Sequence, residues 1–96
     1  MSGLHDMTAV SVERLVTINR EQGLHARPAL ELVNAVKASG LSVTIASPGM
    51  PAVNAGSLLA VMSQGFVQGA EVLLSATGEG SDAVLERAAE ILSVSD

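Results

Sequence analysis

Gly23-Leu24-His25-Ala26-Arg27-Pro28-Ala29 is the stretch from which the rest of this chain can be read. Pro28 has no backbone N–H and is tolerated in a helix only in the first turn, so a helix beginning here must start near His25. Downstream, Ala29, Leu32, Val33 and Val36 fall at i, i+3, i+4 and i+7 and make one apolar stripe. The helix is expected over Ala26 to about Ala38, with Gly40 as its C-terminal stop. Upstream, Val12, Arg14, Val16 and Ile18 share one parity, the pattern of a strand with a single inward face, and Asn19 to Gly23 is polar and turn-like.

The remaining elements follow outward from that helix. Leu41, Val43 and Ile45 alternate with Ser42 and Thr44 as a second strand, and Ser47-Pro48-Gly49-Met50-Pro51 is a turn. A short strand around Ala52 to Asn54 returns as a hairpin, and Ser57 can cap a brief helix through Leu58, Leu59 and Met62. Gln68-Gly69 turns the chain into a fourth strand with Val72, Leu74 and Ala76 on one face. Ser81 is placed to cap a last helix whose Val84, Ala88, Ile91 and Leu92 face inward. The order, strand–helix–strand–strand–helix–strand–helix, is α+β: a four-stranded antiparallel sheet covered on one face by three helices. Thr17, Ser42, Thr44 and Ser75 suit a solvated opposite face.

Composition limits what such a domain can do. Ninety-six residues make one domain, expected over 11–96 behind a loose leader at 1–10. The apolar fraction is 48% but Phe66 is the only aromatic residue, so the core rests on aliphatic side chains. Without cysteine there are no disulfides or thiolate sites, which fits the cytoplasm. Two histidines and no cysteine argue against a structural metal site, and the glycines at 65–69 and 78–80 read as turns rather than nucleotide loops, so no cofactor is expected. The opening residues lack a signal-peptide pattern, and no apolar run approaches the roughly 20 residues of a membrane span. The formal charge is −5, and Arg14, Arg20, Arg27, Lys37 and Arg87 are scattered, which excludes a basic patch for nucleic acid.

A histidine at a helix start has a specific chemical possibility. The first backbone N–H groups of a helix lack internal partners and carry partial positive charge, so the terminus is an anion site. Arg27 adds a planar cationic fork suited to phosphate oxygens, and Gly23 lets the chain turn sharply enough to bring the imidazole over the terminus. An ordinary imidazole titrates near about 6.5, so it is largely neutral and nucleophilic near neutral pH. Transfer of a phosphoryl group between proteins would also require an exposed ring. Taken singly, such a histidine is ordinarily a cap or a solvated side chain, and so is such an arginine.

The whole seven-residue string changes that balance. It resembles the active-site signature of HPr, the histidine-containing phosphocarriers of bacterial phosphotransferase systems. The similarity extends over about residues 12–95 and includes the element order of that family's open-faced β-sandwich. The resemblance implies that His25 accepts a phosphoryl group from phosphorylated enzyme I through Nδ1 and donates it to EIIA components for sugar uptake. It implies that Arg27 steadies the phosphorylated state, and that the protein is a carrier rather than an enzyme. It further implies a docking surface of Ala26, Arg27, Leu58, Leu59 and Met62. At helical spacing, the three residues of the brief helix are equally readable as core.

Ser57, within Asn54-Ala55-Gly56-Ser57-Leu58-Leu59, resembles the family's regulatory serine region, the target of a dedicated Ser-specific kinase/phosphorylase in some bacteria. On that reading the domain is a regulatory module that docks a transcription regulator; on the other, Ser57 is a helix cap and no more. A nitrogen-branch paralogue would share the same histidine motif. Three departures are visible: Gln22 stands where a small capping residue is frequent, Gly56 replaces a basic residue, and bordering lysines are missing. A monomer is the natural expectation for a carrier that must leave each partner.

Overall fold

The computed structural model describes residues 11–94; the expected leader at 1–10 lies outside them. Strand β1 (Ser11–Thr17) leads into helix α1 (Ala26–Ser39), and strands β2 (Val43–Ala46) and β3 (Val53–Asn54) form a hairpin. Helix α2 (Leu58–Met62), strand β4 (Glu71–Thr77) and helix α3 (Ser81–Ser93) complete the order. All pairings are antiparallel and the spatial order is β1-β4-β2-β3. β4, the last strand in sequence, sits between β1 and β2, so α1 crosses over β4 on its way from β1 to β2, and α2 crosses over β2 on its way from β3 to β4. The result is the expected four-stranded sheet with three helices.

The register carries the parity read from sequence. Arg14, Leu74 and Ile45 share one cross-strand row and Val12, Ala76 and Val43 the next. These rows alternate to the helix-covered side, so Val43, Ile45, Val72, Leu74 and Ala76 are buried. Ala29, Leu32, Val33 and Val36 of α1 and Val84, Leu85, Ala88, Ile91 and Leu92 of α3 meet them in one cluster with Phe66. On the other side, Leu15 lies opposite Leu73, and Leu15 remains 58% exposed.

Three local expectations are corrected. The second strand begins at Val43, not Leu41; Leu41 instead lies against Gly78 and Gly80 at the start of α3. The third strand is only Val53–Asn54, leaving Ala52 outside it. Ser81 is not the cap of α3 but its first helical residue, with Gly80 at the cap position. The Ser81 hydroxyl is buried and donates to the Gly78 carbonyl at 2.6 Å, closing the turn from β4. By contrast, Gly40 stops α1 in the left-handed conformation, its N–H donating to the Lys37 carbonyl, as read from sequence.

Candidate functional site

His25 is the residue immediately before the first turn of α1. Its backbone is extended (φ −82°, ψ −173°) and its carbonyl accepts the N–H of Ala29 at 3.0 Å, the first bond of the helix. The side chain does not cap the helix, and no acid lies in the first turn. The amides of Ala26 and Arg27 make no hydrogen bond among the described residues, and Pro28 has none to offer. His25 is half-buried, while Ala26 and Arg27 are exposed. An imidazole, two helix-terminal amides and a guanidinium therefore belong to three consecutive residues at the helix start, a set of groups chemically suited to an anion.

What holds this terminus is a contact the sequence did not disclose. Gly23 has φ +71°, and a Cβ built on it would lie 2.5 Å from the Phe66 carbonyl oxygen and 2.9 Å from Val67 Cα. The Leu24 N–H donates to that same Phe66 carbonyl at 3.0 Å, and Leu24 and Phe66 are both buried. The loop after α2 is thus pressed against the loop before α1, and only glycine permits the approach. The signal that could have found it was Phe66 itself, a lone aromatic between two glycine-containing turns.

A second support comes from Arg20, read from sequence only as part of a polar turn. Its carbonyl accepts the Gly23 N–H at 2.9 Å. Its Nε donates to the Ile91 carbonyl in the last turn of α3 at 2.8 Å, and its Nη2 reaches Glu31 Oε1 on α1 at 3.3 Å. One guanidinium therefore ties the loop before His25 to both long helices. A partner 71 positions away in the chain leaves no local trace in the sequence.

Ser57 does cap α2: its backbone is extended and its hydroxyl accepts the Ala60 N–H at 3.2 Å. Asn54 sets the approach, its side-chain oxygen accepting from the Gly56 N–H at 2.8 Å and its carbonyl from the Ser57 N–H at 3.1 Å. In α2, Val61 is the core residue, whereas Leu59 is 81% exposed and Leu58 and Met62 are partly open at 39% and 38%. The core alternative for Leu58, Leu59 and Met62 is therefore not the one adopted; all three lie at the surface of a helix packed beside α1. No group of three or more His, Cys, Asp or Glu among the described residues is placed to hold a metal ion. No described helix is long and apolar enough to cross a membrane.

The PTS-HPr family model, described as the PTS HPr component phosphorylation site, matches residues 12–93. A phosphocarrier protein HPr of Streptomyces coelicolor is 45% identical over 80 residues, 83% of this chain and 86% of that protein. The phosphocarrier protein HPr of Vibrio cholerae is 38% identical over 77% of this chain and 86% of its own. Among solved structures, the phosphocarrier HPr of Bacillus anthracis superposes with a TM-score of 0.81 at 25% identity, covering 86% of this chain and 98% of that one.

Proposed function

The chain belongs to the HPr family of phosphotransferase-system phosphocarriers, and on that premise we propose that His25 takes a phosphoryl group from phosphorylated enzyme I and passes it to EIIA components for sugar uptake. The observation that carries the assignment to His25 is its position before an open, acid-free first turn beside an exposed Arg27. In the step itself, a lone pair of the neutral imidazole attacks phosphorus in line. The bond from phosphorus to its donor atom on enzyme I breaks as the new N–P bond forms, and the ring N–H proton is released or passes to the departing group. The product is a phosphoramidate whose oxygens face the Ala26 and Arg27 amides and the Arg27 guanidinium. A few amides and one arginine hold the anion while leaving the N–P bond labile, which suits a carrier that performs no turnover of its own. Nδ1 is taken as the acceptor by family resemblance. The exposed Leu58, Leu59 and Met62, with Ala26 and Arg27, supply the docking surface for enzyme I and EIIA, in the cytoplasm and as a monomer.

The test is phosphoenolpyruvate-dependent labelling with enzyme I of the same host. Wild type is expected to gain a single acid-labile phosphoryl group by intact mass, and His25→Ala none while keeping its fold. No adduct on wild type with an active enzyme I would refute the carrier role.

A second role attaches to Ser57, because its hydroxyl lies at the start of α2 on a partly accessible residue. Phosphate there would keep acceptor oxygens near the Ala60 amide and place negative charge between Leu58 and Leu59 and any partner. On this reading a Ser-specific kinase/phosphorylase modifies Ser57 and the product docks a transcription regulator. An acid-stable label that survives in His25→Ala and vanishes in Ser57→Ala supports it; no acid-stable label from host extract with ATP refutes it.

A further inference from the structure

Two arginines stand within reach of one carboxylate on the helix that begins at the site. Arg27 and Glu31 are separated by one turn of α1, the spacing at which opposite charges pair on a helix surface. Yet Glu31 is bound to Arg20, at 3.3 Å, and no ion pair of Arg27 is present among the described residues. We propose that Arg20 is a positioning residue for phosphoryl transfer: by holding Glu31, it leaves the Arg27 guanidinium available to the phosphoryl group on His25. The inference rests on the phosphocarrier reading and names a residue through which the site is kept open.

The preference of Glu31 for Arg20 has a physical origin in the geometry. The Arg20 side chain is only 14% exposed, against 47% for Glu31, and its Nε is already bonded to the Ile91 carbonyl. The neighbouring Asn19 N–H donates to the Leu92 carbonyl at 2.9 Å, so this segment is pinned to the end of α3 twice. The guanidinium reaches Glu31 with its orientation fixed, and little side-chain entropy remains to be lost. Arg27 is exposed and lies four residues before Glu31, the less favourable order for a pair along a helix. Among the described residues, Arg20 is the cation that Glu31 pairs with, so its removal would leave Glu31 to Arg27 one turn away. A carboxylate on Arg27 would then occupy the donors that the phosphate needs and repel its charge.

Two measurements decide the proposal together. In urea unfolding, a double-mutant cycle of Arg20→Ala with Glu31→Gln is expected to show coupling. The cycle of Arg27→Ala with Glu31→Gln is expected to show none in the wild-type background and to gain it in the Arg20→Ala background. In phosphoryl transfer from enzyme I, Arg20→Ala is expected to slow acceptance by about two- to fivefold, the scale of one exposed ion pair. Adding Glu31→Gln to Arg20→Ala is expected to restore the rate to within about twofold of wild type, since a purely structural loss would not be repaired by removing a carboxylate. Arg20→Lys, which keeps a cation for Glu31 but lacks the fork to Ile91, is expected to recover most of the rate while its thermal midpoint falls. Wild-type coupling between Arg27 and Glu31, or absence of rescue in a wild-type-competent assay, overturns the proposal alone. Wild type that accepts no phosphoryl group overturns the carrier reading and the proposal with it.

Discussion

The two long helices of this protein are nearly equal, 14 and 13 residues, but their N-termini are built to opposite ends. Neither has a side-chain cap. At α3, Asp82 places a negative charge in the first turn and Ser81 is buried, tying the turn back to Gly78. At α1 the first turn holds a cation, Arg27, and a proline; His25 beside it is half-buried, and the Ala26 and Arg27 amides make no hydrogen bond among the described residues. A positive charge at the positive end of a helix dipole is unfavourable for the helix alone. The difference teaches that α3 has a first turn whose acid suits its own dipole, while the first turn of α1 carries a cation that, on the phosphocarrier reading proposed above, serves an external anion. The cost is met by tertiary contacts, chiefly the Gly23–Phe66 approach and the Arg20 tie to α3.

The comparison can be broken most completely by His25→Ala, which should remove all acid-labile label yet leave a cooperative unfolding transition, because the ring is only half-buried and lies outside the apolar core. Next in size, Gly23→Ala and Gly80→Ala test how each terminus is held. Both glycines have positive φ, +71° and +92°. A Cβ at Gly23 meets backbone at 2.5 Å, whereas one at Gly80 meets only the Leu41 side chain at 3.7 Å. Urea unfolding should show Gly23→Ala losing about 2 kcal/mol or more and Gly80→Ala about 1 kcal/mol. Equal losses would mean that the loop contact does not secure α1. A smaller effect of opposite sign is expected from His25→Asp, which supplies the missing cap and acid and should raise stability by about 0.5–1 kcal/mol while abolishing phosphoryl acceptance. Smallest of all, Asp82→Asn should lower stability by about 0.3 kcal/mol. If His25→Asp destabilises, the α1 terminus is not an unsatisfied one.

Much of this was legible in the chain. The parity of Val12, Arg14, Val16 and Ile18, and the stripe of Ala29, Leu32, Val33 and Val36, report local periodicities that the fold must respect, and the structure buries the apolar residues of both except the half-buried Val12. Pro28 located the start of α1, and with it the site, because proline's constraint is covalent. Ser57 acted as the cap its position implied. Ser81 did not, since a glycine with positive φ took the cap position and the hydroxyl turned to the Gly78 carbonyl. Leu58, Leu59 and Met62 could not be sorted by spacing, because in five residues a helix turns too little to define a face. Only packing against α1 selected Val61 as the inward residue.

By itself, then, the sequence determined the element types, the inward faces of β1, β2, β4 and both long helices, and the position of the histidine at a helix start. These depend on neighbours within a few residues, where covalent geometry and side-chain period act directly. Tertiary structure alone decided that β4 lies between β1 and β2, that Gly23 meets Phe66, and that Arg20 takes both Ile91 and Glu31. Each of these joins chain segments brought together only when the helices close over the sheet, so it depends on three-dimensional proximity rather than on local pattern.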